Sequence, residues 1–516
     1  MQDAIALFDE SYYLTRNLDV AAAVSNGSFS SGFDHFNRVG KFEQRDPSAL
    51  FNTKYYLEEN PDVTLAVQNG QITAYDHFQQ FGRLEKRDPS NFFDTRTYLE
   101  LYPDIAAAVG RDEITAYDHF VQYGQFEGRN PNTLFNTRIY LERNPDIAAA
   151  VGRNELTAYQ HFLKFGLNEG RAPTQAFQVL NTFLVGNTTG NNVLRYDTKT
   201  GGFLGEFIPA NSGGLFSPDN LLYGPDGNGD GIEDLYVSSG NKPATSREQG
   251  ASAILRYDGV TGQFIDVFVG DNPRTPNIDE TSGLFRPYGS AFGPDGNLYV
   301  SSFLSDQILR YNGRTGQFID VFASGNQQPG GLNGPNGLLF GPDGSLYVTT
   351  QGSVAVNGTP DFSAGLPSQL LRYNLQTRQS TAIASPSPSP DSFDFVSLLG
   401  IAINPKDGNL YVSDFANDVR RYEINTGNLL GVLSTNYTGT SPSSNFIGSL
   451  AFGPDGNLFV VGFDNRNGTG NLGAILRYDG TTGQPLPFPA PGNRGPLFVP
   501  PDTKLTRPIG IAFFVG

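Results

Sequence analysis

The four histidines of this chain are spaced 42 residues apart, and this spacing constrains the fold more than any other feature of the sequence. Each lies in a copy of one short phrase, which reads Ala-Tyr-Asp-His-Phe in its second and third occurrences. A fixed period of about 20–50 residues is typical of stacked repeats. We therefore expect residues 1–173 to form a tandem array of four units. The histidines are His35, His77, His119 and His161.

Each unit of this array is expected to contain about three short helices. An Asp or Asn at the opening can cap a first helix, and an Asn-Pro-Asp step ends that helix and starts the next. In the third unit, Thr115 caps a third helix that Gly124 ends in the C′ position. The spacing of Tyr117, Phe120 and Tyr123 predicts the buried face of this helix. One unit is too small to bury its own apolar face, so stacked neighbours complete the core.

Two interpretations of the histidines are open. One is a row of metal or ligand sites; the other is a half-buried histidine that hydrogen-bonds the next unit. Zinc requires three or four ligands close together, which one histidine in each unit does not supply, so we favour the structural interpretation. We also expect the Glu-x-Arg step that closes each unit to form ion pairs between units. These steps are Glu43 and Arg45, Glu85 and Arg87, Glu127 and Arg129, and Glu169 and Arg171.

A second repeat, anchored on Leu-Arg-Tyr or a close variant, occupies residues 174–516. Upstream of most anchors stands Gly-Pro-Asp-Gly-Asn-Leu-Tyr-Val or a related phrase, in which Pro-Asp-Gly is a tight-turn signal between two strands. Each unit reads as four strands, and six such units predict a six-bladed β-propeller. The anchors end at Tyr196, Tyr257, Tyr311, Tyr373, Tyr422 and Tyr478.

The ends of the second repeat predict how the ring closes. Its first unit lacks an inner strand, whereas residues 507–516 look like an inner strand without a blade of its own. Pairing the two would complete a sixth blade from both ends of the repeat and remove two free edges. The fold class is therefore short-helix tandem repeats followed by a six-bladed propeller closed by the C-terminal strand.

One loop has the spacing of a calcium site. Side-chain oxygens stand at positions 1, 3, 5 and 9 as Asp226, Asn228, Asp230 and Asp234, and the carbonyl of Ile232 would serve at position 7. Calcium takes six to eight oxygen ligands, and this spacing wraps one chain around one ion. The loop resembles the calcium hairpins of integrin-type propeller blades, which implies a bound Ca²⁺ that stiffens the second blade. The alternative is an ordinary Asn/Asp/Gly turn without metal.

The Leu-Arg-Tyr and Pro-Asp-Gly phrases resemble those of NHL-type and related six-bladed propellers. That family includes lyases, gluconolactonase-like hydrolases and pure binding modules. Its lyases depend on histidine, which this ring lacks, so the resemblance disfavours them. Gluconolactonase-like sites use Glu, Asn and Asp around a divalent ion at the channel mouth. On that resemblance, Asp219, Asn336 and Asp414 are the candidates near strand ends.

The N-terminal units resemble repeats of bacterial, notably cyanobacterial, surface and glycan-associated proteins. The resemblance rests on the order Tyr-Leu, Asn-Pro-Asp-Val, His-Phe, Gly, Glu-Gly-Arg and Pro, which is fullest in the third and fourth units. It implies a spacer or surface-attachment role and defines no ligand.

Composition narrows the functional classes. A net charge of −17 argues against nucleic acid as a partner, because phosphates require Lys and Arg. The chain has no cysteine, which excludes disulfides and thiolate metal sites. No stretch approaches 18 apolar residues, so we expect no membrane span. The start lacks the basic and apolar regions of a Sec signal, which leaves earlier removal or another export route.

Two hypotheses of function follow. The first is a non-enzymatic extracellular or cell-surface protein of bacterial type. In it the propeller presents a surface to a protein or glycan, and the repeats act as spacer or anchor. Because helical repeats and propellers both stack readily, we also expect self-assembly into a fibre or coat. The second hypothesis is a metal-dependent gluconolactonase-like or sugar-processing enzyme at the propeller channel. We favour the first.

Overall fold

The computed structural model divides the chain into two compact units, Met1–Gln178 and Val179–Gly516. It describes residues 7–514, except 91, 133–134, 167–170, 172–181, 230–231, 247, 273, 276–277, 391, 417, 467–469 and 488–494. The predicted domain boundary between residues 173 and 174 lies outside the described residues and stays a prediction.

Short helices make up the N-terminal unit, three in each of four repeats among the described residues. In order they are α1 (Glu10–Arg16), α2 (Leu18–Ser25), α3 (Gly32–His35), α4 (Thr53–Glu59), α5 (Pro61–Gln68), α6 (Ala74–His77), α7 (Thr95–Leu101), α8 (Pro103–Val109), α9 (Ala116–His119), α10 (Thr137–Arg143), α11 (Pro145–Gly152) and α12 (Ala158–His161). The third helix of each repeat continues directly into a π-helical turn. These turns are Phe36–Gly40, Phe78–Gly82, Phe120–Gly124 and Phe162–Gly166.

The helix caps follow the sequence prediction. Asp94 accepts a hydrogen bond from the Thr97 backbone N–H at the start of α7, and Thr115 accepts one from the Asp118 N–H at the start of α9. Pro103 begins α8, where a missing N–H costs nothing. The same caps recur in the other repeats, so the local signals of one repeat set the geometry of all four.

Gly124 has a different role from the predicted helix terminator. It is the last residue of a π-helical turn, and it is not among the residues with a left-handed backbone. A Cβ placed on it would overlap the hydroxyl oxygen of Tyr98. The glycine is therefore required by the close approach of a side chain, and the glycines that end the other three π-helical turns are approached in the same way.

The π-helical turn also changes which residues are buried. Tyr117 and Phe120 lie in the core as predicted, but Tyr123 is 51% exposed. Because a π-helical turn holds more residues than an α-helical turn, the residues after Phe120 rotate relative to the core. Val121 and Gly124 take the buried positions instead.

Aromatic contacts join successive repeats. Tyr117 meets Phe78 of the preceding repeat with ring centroids 5.1 Å apart, edge to face, and Tyr159 meets Phe120 in the same way. Such pairs stabilise by more than the area they bury. Neighbouring repeats therefore complete one another's cores, as the sequence predicts. Lys164 in the fourth repeat also pairs with Asp9 in the first, at 3.0 Å.

The C-terminal unit is a six-bladed β-propeller, and each blade is a four-stranded antiparallel sheet of described residues. From inner to outer strand, blade 1 has β26 (Pro508–Phe513), β1 (Thr182–Asn187), β2 (Asn192–Asp197) and β3 (Phe203–Ile208); blade 2 has β4 (Leu221–Gly224), β5 (Asp234–Ser239), β6 (Ala253–Tyr257) and β7 (Phe264–Val269); blade 3 has β8 (Pro287–Phe292), β9 (Leu298–Ser302), β10 (Gln307–Tyr311) and β11 (Phe318–Ser324); blade 4 has β12 (Pro335–Phe340), β13 (Leu346–Thr350), β16 (Leu370–Tyr373) and β17 (Ser380–Ala384); blade 5 has β18 (Leu398–Ile403), β19 (Leu410–Asp414), β20 (Asp418–Tyr422) and β21 (Leu429–Ser434); blade 6 has β22 (Asn445–Phe452), β23 (Leu458–Asp464), β24 (Leu472–Tyr478) and β25 (Leu497–Thr506). An additional hairpin, β14 (Val354–Val356) and β15 (Thr359–Asp361), is inserted in blade 4.

The C-terminal strand closes the ring, as predicted. β26 pairs antiparallel with β1, with Phe183 opposite Phe513 and Val185 opposite Ile511. The tyrosine of every Leu-Arg-Tyr anchor is buried between blades. In blades 2 and 3 the anchor arginine beside it reaches the outer strand, where Arg310 binds Asp320 at 2.8 Å. In the described part of the chain, no helix combines the length and the apolar character needed to cross a bilayer.

Candidate functional site

The four histidines are structural partners within their own repeats. The Nδ1 atom of His119 lies 2.9 Å from the Tyr98 hydroxyl, and the equivalent atoms of His161 and Tyr140 are 2.8 Å apart. Burial lowers the pKa of His119, which favours the neutral ring. The prediction of a bond to the next unit is wrong in detail, because the helices that carry Tyr and His belong to the same repeat. Among the described residues, no group of three or more His, Cys, Asp or Glu is arranged to hold a metal ion.

The described Glu-x-Arg steps also act within a repeat, which corrects the prediction of inter-unit ion pairs, whereas Glu169 of the fourth step lies outside the described residues. Arg87 binds Asp62 at 2.7 Å and Glu85 at 2.6 Å, and all three belong to the second repeat. The Arg87 hydrogen bonds hold the pKa of Asp62 down at about 2. Neighbouring repeats are joined by other charges, such as Arg83 with Asp118 at 2.9 Å.

The predicted calcium loop connects β4 to β5. Asp226 lies at its exposed start and accepts a hydrogen bond from the Gly229 N–H. Asp234 lies fully buried at its end and accepts one from the Gly227 N–H at 2.8 Å. Both carboxylates therefore accept hydrogen bonds from backbone N–H groups in the first half of the loop.

The other predicted ligands are only partly described. The side-chain amide of Asn228 donates to Asp258 at 3.2 Å, and Ile232 is half-buried. Asp230, the central ligand of the predicted set, lies outside the described residues. The loop geometry therefore leaves the calcium site a prediction.

A cavity of about 220 Å³ opens at the mouth of the propeller channel. The inner strands of the blades pack against one another around the channel, and the cavity lies where several of them begin. Its lining is mixed in chemistry, with cationic, acidic, amide and aromatic side chains. These include Thr188, Asp219, Arg286, Tyr288, Phe303, Asn336, Gln351, Phe362, Phe415 and Arg507.

Two arginines dominate the electrostatics of this cavity. The Arg286 guanidinium carbon lies 4.9 Å from the ring centre of Tyr288 and 5.8 Å from that of Phe303, which fixes its position by cation–π contact. Arg507 lies 5.9 Å from the ring centre of Phe463. We name Arg286 and Arg507 the arginine pair.

Asp219 is the carboxylate of the cavity lining and is only 7% exposed. Its side chain accepts no hydrogen bond from another described residue, and it forms no ion pair within 4.0 Å. Burial raises the pKa of Asp219 to about 7, although both members of the arginine pair act in the opposite direction. The group is thus poised between its neutral and charged forms near neutral pH.

The backbone holds the arginine pair in an unfavourable conformation. Both residues precede a proline at the start of an inner strand, with φ of 55° at Arg286 and 50° at Arg507. The equivalent position in blade 4 is Gly334, with φ of 63°. A left-handed backbone costs a residue with a side chain about 1–3 kcal/mol, and such strain clusters at functional sites. The pattern x-Pro-x-Gly was the sequence signal for these arginines, and sequence analysis missed it.

The residue after the same proline lines the channel. This position holds Tyr288 in blade 3, Asn336 in blade 4 and Ile509 in blade 1. The blades therefore share a backbone but present different side chains to the mouth. Pro360 of β15 and Phe362, which follows that strand, form one wall of the cavity.

Asp414 does not join Asp219 and Asn336 at the mouth. It is fully buried in blade 5, where it binds Arg420 at 2.9 Å and accepts the Ser397 N–H at 2.9 Å. Burial raises the pKa of Asp414. The three residues proposed for a divalent ion are thus not assembled. The arginine pair beside Asp219 also repels cations, so the lining does not fit a gluconolactonase-like metal.

Comparisons with known proteins add similarity of fold alone. No protein-family model and no curated protein matches the chain. Among solved structures, the chain is similar to the nidogen/laminin complex, with 13% identity over 65% of this chain and 98% of that one and a TM-score of 0.41. A protein of unknown function from Bacteroides caccae is 12% identical over 65% of this chain and 99% of that one, with a TM-score of 0.40. Virginiamycin B lyase from Staphylococcus aureus is 14% identical over 57% of this chain and 75% of that one, with a TM-score of 0.33.

Proposed function

We propose that this protein is a non-catalytic binding module whose propeller mouth receives a ligand. The observation that supports it most is the cavity itself, in which an arginine pair, two amides and several aromatic rings surround one buried carboxylate. Lining of this kind suits recognition by charge, hydrogen bonding and apolar contact. Acid–base chemistry generally uses two groups with pKa values set apart. Here the other titratable group, Tyr288, has a pKa raised to about 12 by burial.

Catalysis is the competing proposal, and the pKa of Asp219 is what favours it. A carboxylate that titrates near neutral pH is suited to act as a general base. Incubation of the full chain with a panel of polysaccharides and peptides separates the two proposals. A binding module retains a ligand on affinity electrophoresis and leaves its mass unchanged. Any product detected by mass spectrometry would refute the non-catalytic proposal.

We further propose an extracellular or cell-surface location, with the repeats as spacer or anchor. The support is the resemblance of the repeats to those of bacterial surface and glycan-associated proteins. Exposed aromatic side chains recur on successive repeats, at Phe81, Tyr123 and Phe165, and favour self-assembly into a fibre or coat. Protease treatment of intact cells tests the location, and electron microscopy of the purified chain tests the assembly. We also propose that the N-terminal units are repeats of the cyanobacterial type and that the propeller repeats are of the NHL type.

Calcium is proposed as a structural ion of the second blade. Asp226, Asn228, Asp230 and Asp234 would supply side-chain oxygens, with the carbonyl of Ile232. Support comes from the spacing of these oxygens in the sequence and from the resemblance of the loop to the calcium hairpins of integrin-type propeller blades. The ion would restrain the exposed connection between β4 and β5.

A further inference from the structure

The arginine pair is placed to receive an anion. Neither guanidinium has a carboxylate within 4.0 Å among the described residues, and the Nε atom of Arg286 is buried without a hydrogen-bond partner there. A cation withdrawn from water is normally paired. Charge-assisted hydrogen bonds from Arg to a carboxylate are also among the strongest in proteins. Both guanidinium groups line one cavity, so an anionic group of a ligand can reach both.

A second set of polar groups in the cavity calls for hydroxyl groups on the same ligand. Asp219 is 93% buried and Asn336 is 91% buried, and both face the cavity. The side chains of Asp219, Asn336 and Gln351 make no hydrogen bond to another described residue. Their polar atoms remain open to the cavity, where a ligand hydroxyl can take the place of water. We name these three residues the acceptor group, since each carries an oxygen that a hydroxyl can donate to.

Aromatic rings supply the remaining walls. Tyr288 and Phe303 lie with ring centroids 4.7 Å apart, and Phe362 is half-exposed at the entrance. A flat apolar ring face can cover the C–H face of a sugar ring. The cavity volume of about 220 Å³ is below the 300–1,000 Å³ of pockets for drug-sized ligands, so one sugar residue is the appropriate size.

We propose that the channel mouth binds a sugar acid of the uronate type. Its carboxylate lies on the arginine pair, its hydroxyls bond the acceptor group, and its ring face packs on Tyr288 and Phe303. The proposal rests on the proposed function as a binding module and names the class of ligand. An acidic peptide would satisfy the arginine pair but would leave the acceptor group without hydroxyl donors.

Isothermal titration calorimetry of the full chain with D-glucuronate tests the site. D-glucose, acetate and a glutamate-rich peptide serve as comparison ligands. We expect glucuronate to bind at least about tenfold more tightly than each of them. Arg286→Gln and Arg507→Gly should each weaken glucuronate binding by about tenfold or more. Arg314→Gln, at an exposed turn in blade 3, is the matched control and should leave affinity unchanged.

The variants are chosen so that loss of the site is distinguished from loss of the fold. Glycine already occupies the position of Arg507 in blade 4, as Gly334, and it relieves the left-handed backbone. Melting temperatures near that of the wild type would show that both variants fold. Wild-type affinity in both variants, or equal affinity for glucose or the peptide, would overturn the proposal.

Two further results separate this proposal from the proposed function. Retention of another glycan or protein without any affinity for glucuronate would refute the sugar-acid site while the binding module stands. Cleavage of a uronate oligomer, measured by mass spectrometry, would refute the non-catalytic module while the sugar-acid site stands.

Discussion

The two repeat systems of this protein differ in how they use equivalent positions. In the N-terminal array, the same polar partners recur in each repeat, as in the bond between Tyr98 and His119. In the propeller, the position after the inner-strand proline changes from Tyr288 to Asn336 to Ile509. A contact repeated in every unit serves the architecture. The positions that vary between units line the cavity that we propose as the ligand site.

The largest expected effect is on the free energy of unfolding, and it tests whether Asp219 stabilises the propeller or serves the ligand site. Its pKa is about 7 in the folded protein and 3.8 unperturbed, so the folded state is penalised once the group is charged. The stability it contributes is complete below pH 4 and is lost as pH rises through 7. Asp219→Asn should therefore raise the free energy of unfolding by up to about 4 kcal/mol at pH 8.

Denaturant unfolding of this variant at pH 4 and pH 8 checks the sign. The gain should disappear at pH 4, where both proteins carry a neutral group. An equal loss of stability at both pH values would instead mean that Asp219 is a structural residue of the ring.

The next effect concerns a position that is identical in all four repeats. Gly124→Ala should destabilise the N-terminal unit by about 3 kcal/mol, because the added Cβ overlaps the Tyr98 hydroxyl. Thermal unfolding followed by circular dichroism measures it. Gly152→Ala is the matched control, since nothing lies within 4 Å of its Cβ and alanine favours a helix. If both variants were equally stable, the shared glycine would not be an architectural requirement.

Calcium should have a smaller effect, confined to the propeller. At about 100 times its dissociation constant, a bound ion adds about 2–3 kcal/mol, or a few degrees of melting temperature. Chelation should lower the melting temperature of the wild type but not of Asp226→Asn. Asp295→Asn, in the plain turn of blade 3, should respond to chelation as the wild type does. An unchanged melting temperature of the wild type on chelation would refute the calcium site.

The sequence predicted features that depend on local signals. Helix caps such as Thr115, the four-stranded blades and the closing strand β26 all follow from turn residues and periodicity. The π-helical turn was not predicted, because the close approach of the Tyr98 hydroxyl to Gly124 that accompanies it joins residues distant in sequence.

The candidate site was only half predictable, for a related reason. The sequence predicts Asp219 and Asn336 as oxygen ligands near strand ends, and both line the same cavity. The sequence does not identify Arg286 and Arg507, because it gives no sign that an arginine lacks an ion-pair partner. The prediction also included Asp414, whose partner Arg420 lies six residues away and neutralises it in the interior.

The most direct test compares one arginine from each repeat system, Arg87 and Arg507, by measuring glucuronate affinity and melting temperature in the same samples. Arg87→Gln breaks an ion-pair cluster on the surface of a helical repeat; it should cost about 0.5–1 kcal/mol of stability and leave affinity unchanged. Arg507→Gly should leave the melting temperature nearly unchanged and weaken binding by about tenfold or more. A loss of stability with full affinity at Arg507→Gly would contradict the assignment of the varying positions to recognition.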